Sequence, residues 1–371
     1  MISDTQKALH LLIRDQLSEE DVDWLKTSLK ANKGYRQLAS KAELYAVAAL
    51  VEANLDRHQI EVPKDVSMVF KSLALRHKAM SDARYTVLSE IVSLFGQHQI
   101  PFVPLKGAAL APMIYPYEHH RPMRDMDILL PRSKQYQAAD ILREIGFDLP
   151  HQQPNRYMRF AHQLPNATIQ KNGFTISVEL HRDAFASDAR STLVYEEVEP
   201  DLRTVQWRDL NLPCLGHEQM LHHVSRHLES LHPGAVLKLA NVLDLILYAE
   251  KFQEEINWQE IKQHYSHVIN SLQCLHLIRP LDPGLIEKID GVHETETKGL
   301  GETMTALTVI FSKQNSFKKK LKLLFVPSDW WLHLYYNTRL NRSLVWIKFI
   351  RHPFTVLKWL STRFYSGLLG G

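Results

Sequence analysis

Cysteine is almost missing: the 371 residues hold two, Cys214 and Cys274. That excludes a disulfide scaffold and a four-thiolate zinc centre, and it suits a reducing cytoplasm. Long apolar runs are missing too, so no membrane span is expected. The N-terminus, Met1 to Glu19, is polar with both charge signs and reads as neither a signal nor a transit peptide. There is no internal repeat and no Pro- or Ser-rich linker. With 45% hydrophobic and 23% charged residues, the mix is that of an ordinary globular chain, which excludes a disordered one. The length points to two domains, or to one core with a large helical extension.

One region lacks acid. From Lys313 to Arg363, eleven Lys and Arg residues stand against Asp329 alone, although the net charge of the whole chain is only +3. The same segment holds Trp330, Trp331, Trp346 and Trp359, four of the seven tryptophans. Three readings are open for this tail, in falling order of preference. The first is packing on the body, the second peripheral contact with a membrane surface, and the third a grip on nucleic acid. The expected location is therefore cytoplasmic, with membrane association through residues 313–363 as the open addition.

Residues 3–98 read as helical. Apolar residues recur at three and four, as in Leu9, Leu12, Ile13 and Leu17, then Leu44, Val47, Leu50 and Val51. Ser18 and Asp21 form a variant capping box opening a helix at Glu19, and Pro63 and Asp65 begin the run 66–95. Between 101 and 210 the rhythm changes. Strands are expected at 102–105, 124–130, 157–164, 167–171 and 174–181, with helices at 107–115 and from a Ser133 cap to 145, where Gly146 stops it. Asn172-Gly173 between alternating strands signals a type I′ hairpin turn. After Pro213 helices return, at 217–231, 235–252, 258–267 and 272–277, with Pro233-Gly234 as a break and 291–301 as a loop. The expected fold class is α+β: a small mixed sheet flanked by N-terminal and C-terminal helical bundles. The expected divisions are 1–98, 99–212, 213–312 and the tail 313–371.

The chemistry gathers in three blocks. Along the strand Arg124-Asp125-Met126-Asp127-Ile128, residues two apart share a face, so Asp125 and Asp127 project together, about 6–7 Å apart at Cα. Paired carboxylates repel unless a cation sits between them, and Mg²⁺ favours a few carboxylates plus phosphate oxygens. On the strand Val178-Glu179-Leu180-His181, Glu179 and His181 share the polar face, so Glu179 becomes a third carboxylate if the two strands are neighbours. Three carboxylates with Mg²⁺ or Mn²⁺ are the usual equipment for phosphoryl or nucleotidyl transfer. In the remaining block, Lys106-Gly107-Ala108 ends a strand and opens a helix. Gly107 lets backbone amides approach a triphosphate, and Lys106 and Arg124 add point charges. His181 is read as orienting Glu179 or touching a phosphate.

These blocks carry a resemblance. The sequence resembles the uncharacterised bacterial nucleotidyltransferases of the DNA polymerase β-like superfamily, over roughly residues 60–330. The shared pattern is Leu105-Lys106-Gly107-Ala108-Ala109-Leu110, then Arg121-Pro122-Met123-Arg124-Asp125-Met126-Asp127-Ile128, then Glu179-Leu180-His181. It differs from the wider superfamily in having Gly107-Ala108 where Gly-Ser is usual, and Glu179 where Asp is frequent. The resemblance implies transfer of a nucleoside monophosphate from an NTP to a hydroxyl or amine acceptor, in polysaccharide or peptide natural-product assembly. Two rivals stand beside it: a non-catalytic nucleotide-binding scaffold of a biosynthetic complex, and a toxin-like enzyme modifying tRNA or protein.

Other polar residues are weighed against plainer roles. His223 and His227, four apart on one helix face, have metal-ligand spacing but no accompanying motif, and packing is the favoured reading. Lys238 and Asp244 interrupt an apolar helix. A helical salt bridge or exposed face is favoured, with Lys238 reaching the triphosphate as the alternative. Trp207 and Trp258 read as core.

Overall fold

The computed structural model describes residues 3–31, 34–150, 161–185, 191–229, 237–292 and 327–358, with Ser316, Lys318, Leu321, Phe325 and Ser361. Five helices open the chain: α1 (Asp4–Leu12), α2 (Glu19–Ala31), α3 (Gly34–Leu44), α4 (Ala48–Arg57) and α5 (Lys64–Gln97). Ser18 Oγ accepts from the Asp21 amide, so the expected start of α2 is in place. Helix α1 packs on α2, α3 and α4, and α3 and α4 pack on α5. Leu9, Leu12, Val47, Leu50 and Val51 lie in this core, but Leu44 at the end of α3 is exposed.

Helix α5 sets the plan of the molecule. Its 34 residues span about 50 Å at 1.5 Å per residue. Val66 and Phe70 near its start belong to a large core shared with the N-terminal and C-terminal helices. Ala83, Val87, Leu88, Ile91 and Phe95 belong to a second core under the sheet.

The main sheet has four strands: β1 (Val103–Pro104), β2 (Asp125–Leu129), β3 (Ala167–Lys171) and β4 (Phe174–His181), in the order β1-β2-β4-β3. It is mixed: β1 runs antiparallel to β2, β2 parallel to β4, and β3 antiparallel to β4. The β3–β4 turn is the expected one, with Asn172 at φ +51° and Gly173 at +79°, both positive as a type I′ turn requires. Helix α6 (Gly107–Ile114) follows β1, and α7 (Gln135–Glu144) follows β2. Ser133 does not cap α7. It lies in a 3₁₀ turn at Arg132–Lys134, and the helix begins after it.

Two strand expectations need correction. The strand foreseen at 157–164 lies outside the described residues up to 160. Its remainder forms only a single bridge, Gln163 to His181. A second hairpin was not foreseen: β5 (Arg203–Trp207) and β6 (Leu210–Cys214), paired antiparallel and packed beside β1 and α6. The short helix α8 (Tyr195–Val198) precedes this hairpin, and beyond it come α9 (His217–Glu229), α10 (Leu239–Lys251), α11 (Trp258–His264), α12 (Ser266–His276) and α13 (Pro283–Lys288). Pro233-Gly234 and most of the loop 291–301 lie outside the described residues. In the tail, α14 (Asp329–Tyr335) packs on α9 and α12. The architecture is α+β, a small mixed sheet flanked by helices from both ends of the chain.

Candidate active site

The site follows from one register. Parallel pairing of β2 with β4 sets Asp125 beside Ser177, Asp127 beside Glu179 and Leu129 beside His181. Side chains alternate along a strand, so Asp125, Asp127, Glu179 and His181 share one face. Met126, Ile128, Val178 and Leu180 take the other and fill the core under the sheet. The neighbouring strands that the third carboxylate required are therefore neighbours.

Lys106 closes the site from the β1 side. Leu105 donates its amide to the Asp127 carbonyl at 2.9 Å, which holds the strand end against β2. Lys106 then turns the chain into α6 with φ +49° and ψ −127°, a conformation that residues bearing a Cβ rarely adopt. Its Nζ donates to Asp127 Oδ1 at 2.7 Å. Gly107 has a packing reason of its own: a Cβ there would lie 2.5 Å from Met123 Cγ. Ala108 is buried in the first turn of α6.

Asp127 is the electrostatic centre. Its side chain is almost wholly buried, which alone would favour the neutral acid. Lys106 at 2.7 Å and His181 Nε2 at 2.9 Å outweigh that and hold the carboxyl far below the usual carboxylate range. His181 Nε2 also lies 3.4 Å from Glu179 Oε2. Burial would lower the His181 pKa, but bonding to both carboxylates raises it. Glu179 is lowered despite burial, by its hydrogen bond with His181. Asp125 behaves oppositely: burial, then repulsion from Asp127 and Glu179, raises it. The four groups thus divide into a tightly bonded trio and one strained carboxylate. His181 Nδ1 is buried without a hydrogen-bond partner, and its ring stands 5.7 Å from that of His162.

Asp127, Glu179 and His181 place one ligand atom each within 4.8 Å of one another, the cluster among the described residues that could hold a metal ion. Two carboxylates and one imidazole fit a divalent ion of the Mg²⁺ or Mn²⁺ kind, the imidazole suiting Mn²⁺ better. Asp125 falls outside this trio, and His181, expected to orient Glu179 or to touch a phosphate, stands beside Glu179 inside it.

The remaining expected residues lie outside the trio. Lys238 is not inside a helix: it is the N-cap residue of α10. Burial, with the charges of Arg124 and Arg121 acting on it, pushes its ammonium down to about 8, while Asp125 pulls the other way. Asp244 does not pair with Lys238. It receives Arg121 through Nε at 2.8 Å and Nη2 at 2.6 Å, and the Tyr115 hydroxyl at 2.8 Å. This buried pair ties the segment before β2 to α10. Arg84 of α5 adds a bond to the Met123 carbonyl in the same segment. Sequence spacing gave no sign of either link, because the partners stand 123 and 39 residues apart. His223 is buried, with no hydrogen-bond partner on either ring nitrogen. Burial, and then the charge of Lys106, holds it well below its ordinary pKa. Trp207 and Trp258 are buried, as are both cysteines.

No curated protein matches this chain. Among solved structures there is a likeness to the lincosamide antibiotic adenylyltransferase LnuA in its lincomycin-bound crystal form. It has 16% identity and a TM-score of 0.25, and covers 36% of this chain and 81% of that one. A likeness that weak fixes neither fold nor substrate. Residues 34–279, well over half of the chain, match the sequence model of a family described as uncharacterised nucleotidyltransferase, and the chain belongs to that family.

Proposed function

We propose that the chain is a divalent-metal-dependent enzyme that transfers a nucleoside monophosphate from an NTP to a hydroxyl or amine acceptor. The observation that carries this reading is the β2–β4 register, which aligns Asp125, Asp127, Glu179 and His181 beside Lys106. Family membership supports the reaction class.

In the reaction the acceptor oxygen or nitrogen attacks the α-phosphorus, a new P–O or P–N bond forms, the bond to pyrophosphate breaks, and the acceptor's O–H or N–H proton is lost to water. Bound Mg²⁺ or Mn²⁺ lowers the pKa of the attacking group and screens the phosphate charge. Asp127 and Glu179 would hold the cation as ionised carboxylates, with His181, 2.9 and 3.4 Å from them, as the third donor of the trio. Asp125, raised by its neighbours, gains most from an added cation, which relieves the repulsion. Lys106, whose Nζ lies 2.7 Å from Asp127 Oδ1, would supply a positive charge to the triphosphate beside the carboxylates. Lys238, Arg124 and the first turn of α6 at Gly107 and Ala108 face the remaining phosphate charge.

The direct test combines labelled NTPs, Mg²⁺ or Mn²⁺ and candidate acceptors, and measures pyrophosphate release. Metal-dependent release that disappears in Asp127→Asn is expected. Turnover unchanged in that variant refutes the assignment.

A further inference from the structure

The last described helical segment of the tail, around residues 345–358, carries apolar side chains on its exposed side as well as on its buried one. Leu344, Ile347, His352 and Val356 are buried. They are spaced by three, five and four residues. The five-residue step is a π turn over Ile347–Arg351, closed by the His352 amide donating to the Ile347 carbonyl. The extra residue keeps one continuous inner face across the turn. That face rests on Tyr336, whose hydroxyl lies 3.0 Å from His352 Nδ1, and on Leu332.

The outer face is what solvent meets, and it is apolar. Phe349 is 72% exposed, Phe354 71% and Trp346 58%, and Val345, Ile350 and Leu357 are exposed beside them. Six large apolar side chains at helical spacing on one face exceed the scattered exposure ordinary for a soluble surface. Around them stand Arg339, Arg342 and Lys358, exposed, and Arg351, half-buried over the Tyr336 ring at 4.7 Å. From Trp330 to Lys358 there is no acid. Asp329, the nearest, is ion-paired with Lys348.

We propose that this face docks on a bilayer surface carrying anionic headgroups. Trp346, Phe349, Ile350, Phe354 and Leu357 enter the headgroup–acyl boundary, and Arg339, Arg342 and Lys358 meet lipid phosphates. Aromatic and aliphatic groups at the centre with cations at the rim are the chemistry of an interfacial helix. The rival occupant is a second copy of the chain. A two-fold contact through this face brings two rims of the same sign together with no acid on either to offset them, which disfavours it. The proposal is independent of nucleotidyl transfer.

The experiment is co-sedimentation of the full chain with vesicles of phosphatidylcholine alone and of phosphatidylcholine mixed with phosphatidylglycerol. Binding to the mixed vesicles, weakened by added salt, is expected, with little to phosphatidylcholine alone. Phe349→Ser/Phe354→Ser should lower the association constant at least tenfold with an unchanged melting temperature, since both side chains already face water. Arg342→Glu/Lys358→Glu should do the same through the charge term. No binding to the mixed vesicles overturns the proposal, and so does wild-type binding by both double variants. A wild-type dimer in sedimentation velocity that Phe349→Ser/Phe354→Ser converts to monomer, without vesicle binding, overturns it in favour of self-association.

Discussion

At the scale of single residues, two buried clusters of charge differ in what holds them and in what they hold. Asp127 is held ionised by Lys106 and His181, although its burial disfavours charge. Asp127→Asn removes the anion that a cation needs and leaves Lys106 and His181 facing a neutral amide. Transfer should fall by roughly 10²- to 10³-fold, the scale for losing one electrostatic contact of the transition state. Pyrophosphate release at saturating Mg²⁺ measures this. The second cluster is structural. Arg121 and Asp244 are both buried and joined by a two-pronged contact. Removing one partner strands the other charge, so Asp244→Asn should cost about 3–5 kcal/mol in denaturant unfolding. Asp244→Asn with Arg121→Met should recover part of that loss. A cost below about 1 kcal/mol would show that the pair does not bind the β2 segment to α10. The first cluster was legible because strand alternation has a period of two, which fixes Asp125, Asp127, Glu179 and His181 to one face once two strands are recognised. The second was not, because Arg121 reads as part of a motif and nothing local reveals a partner on a distant helix.

Among elements, what was readable depended on whether the signal was local. The N-terminal helices announce themselves by periodicity and by Ser18, and the β3–β4 hairpin by Asn172-Gly173. The β5–β6 hairpin escaped because its two-residue turn is Arg208-Asp209, with Arg208 at φ +56° in a position usually given to Asn or Gly. That turn is held from outside: Arg208 bonds Asp82 and Glu118 and lies over the Tyr85 ring at 4.5 Å. Lys238 was misplaced for a similar reason, since an apolar run does not show where the first helical turn begins. Contacts between elements also set the response to pH. Glu43 of α3 meets the His77 ring of α5 at 2.7 Å, and that hydrogen bond holds Glu43 below its usual pKa. A lowered folded-state value means stabilisation that is present above the unfolded pKa and lost as pH falls through the folded one. Glu43→Gln should therefore destabilise by about 0.5–1 kcal/mol at neutral pH, Glu43 being one-third exposed. The difference from wild type should shrink as pH is lowered to about 2, below the usual carboxylate range. Melting curves of both proteins at the two pH values decide it; an equal gap at both would assign the effect to packing instead of charge.

For the whole molecule, the question is whether the basic tail is an appendage or part of the body, since charge and burial point opposite ways. Eleven cations against one acid repel one another along 313–363, and from charge alone the segment should stand away from the fold. Those on the exposed side act through water and salt, where each interaction is small beyond about 10 Å. Against this stands Trp330, with no exposed surface, whose indole Nε1 donates to the Cys274 carbonyl of α12 at 2.9 Å. A tryptophan buries roughly 150–250 Å², which at about 25 cal/mol per Å² is roughly 4–6 kcal/mol, an upper figure. Leu334 and Leu340 join the same core as the N-terminal helices and α9 to α13. Burial wins, and α14 with Leu340 belongs to the body. That leaves the described helical segment after α14, anchored on the inside and apolar on the outside, as the part available for the proposed docking. Trp330→Ala should accordingly cost about 3–5 kcal/mol, the usual range for emptying a tryptophan site. It should also raise proteolytic cleavage after Arg339 and Arg342, because the segment beyond α14 loses its anchor. Denaturant unfolding with limited trypsin digestion reads both. A variant as stable and as resistant as wild type would return the tail to the status of a charged appendage.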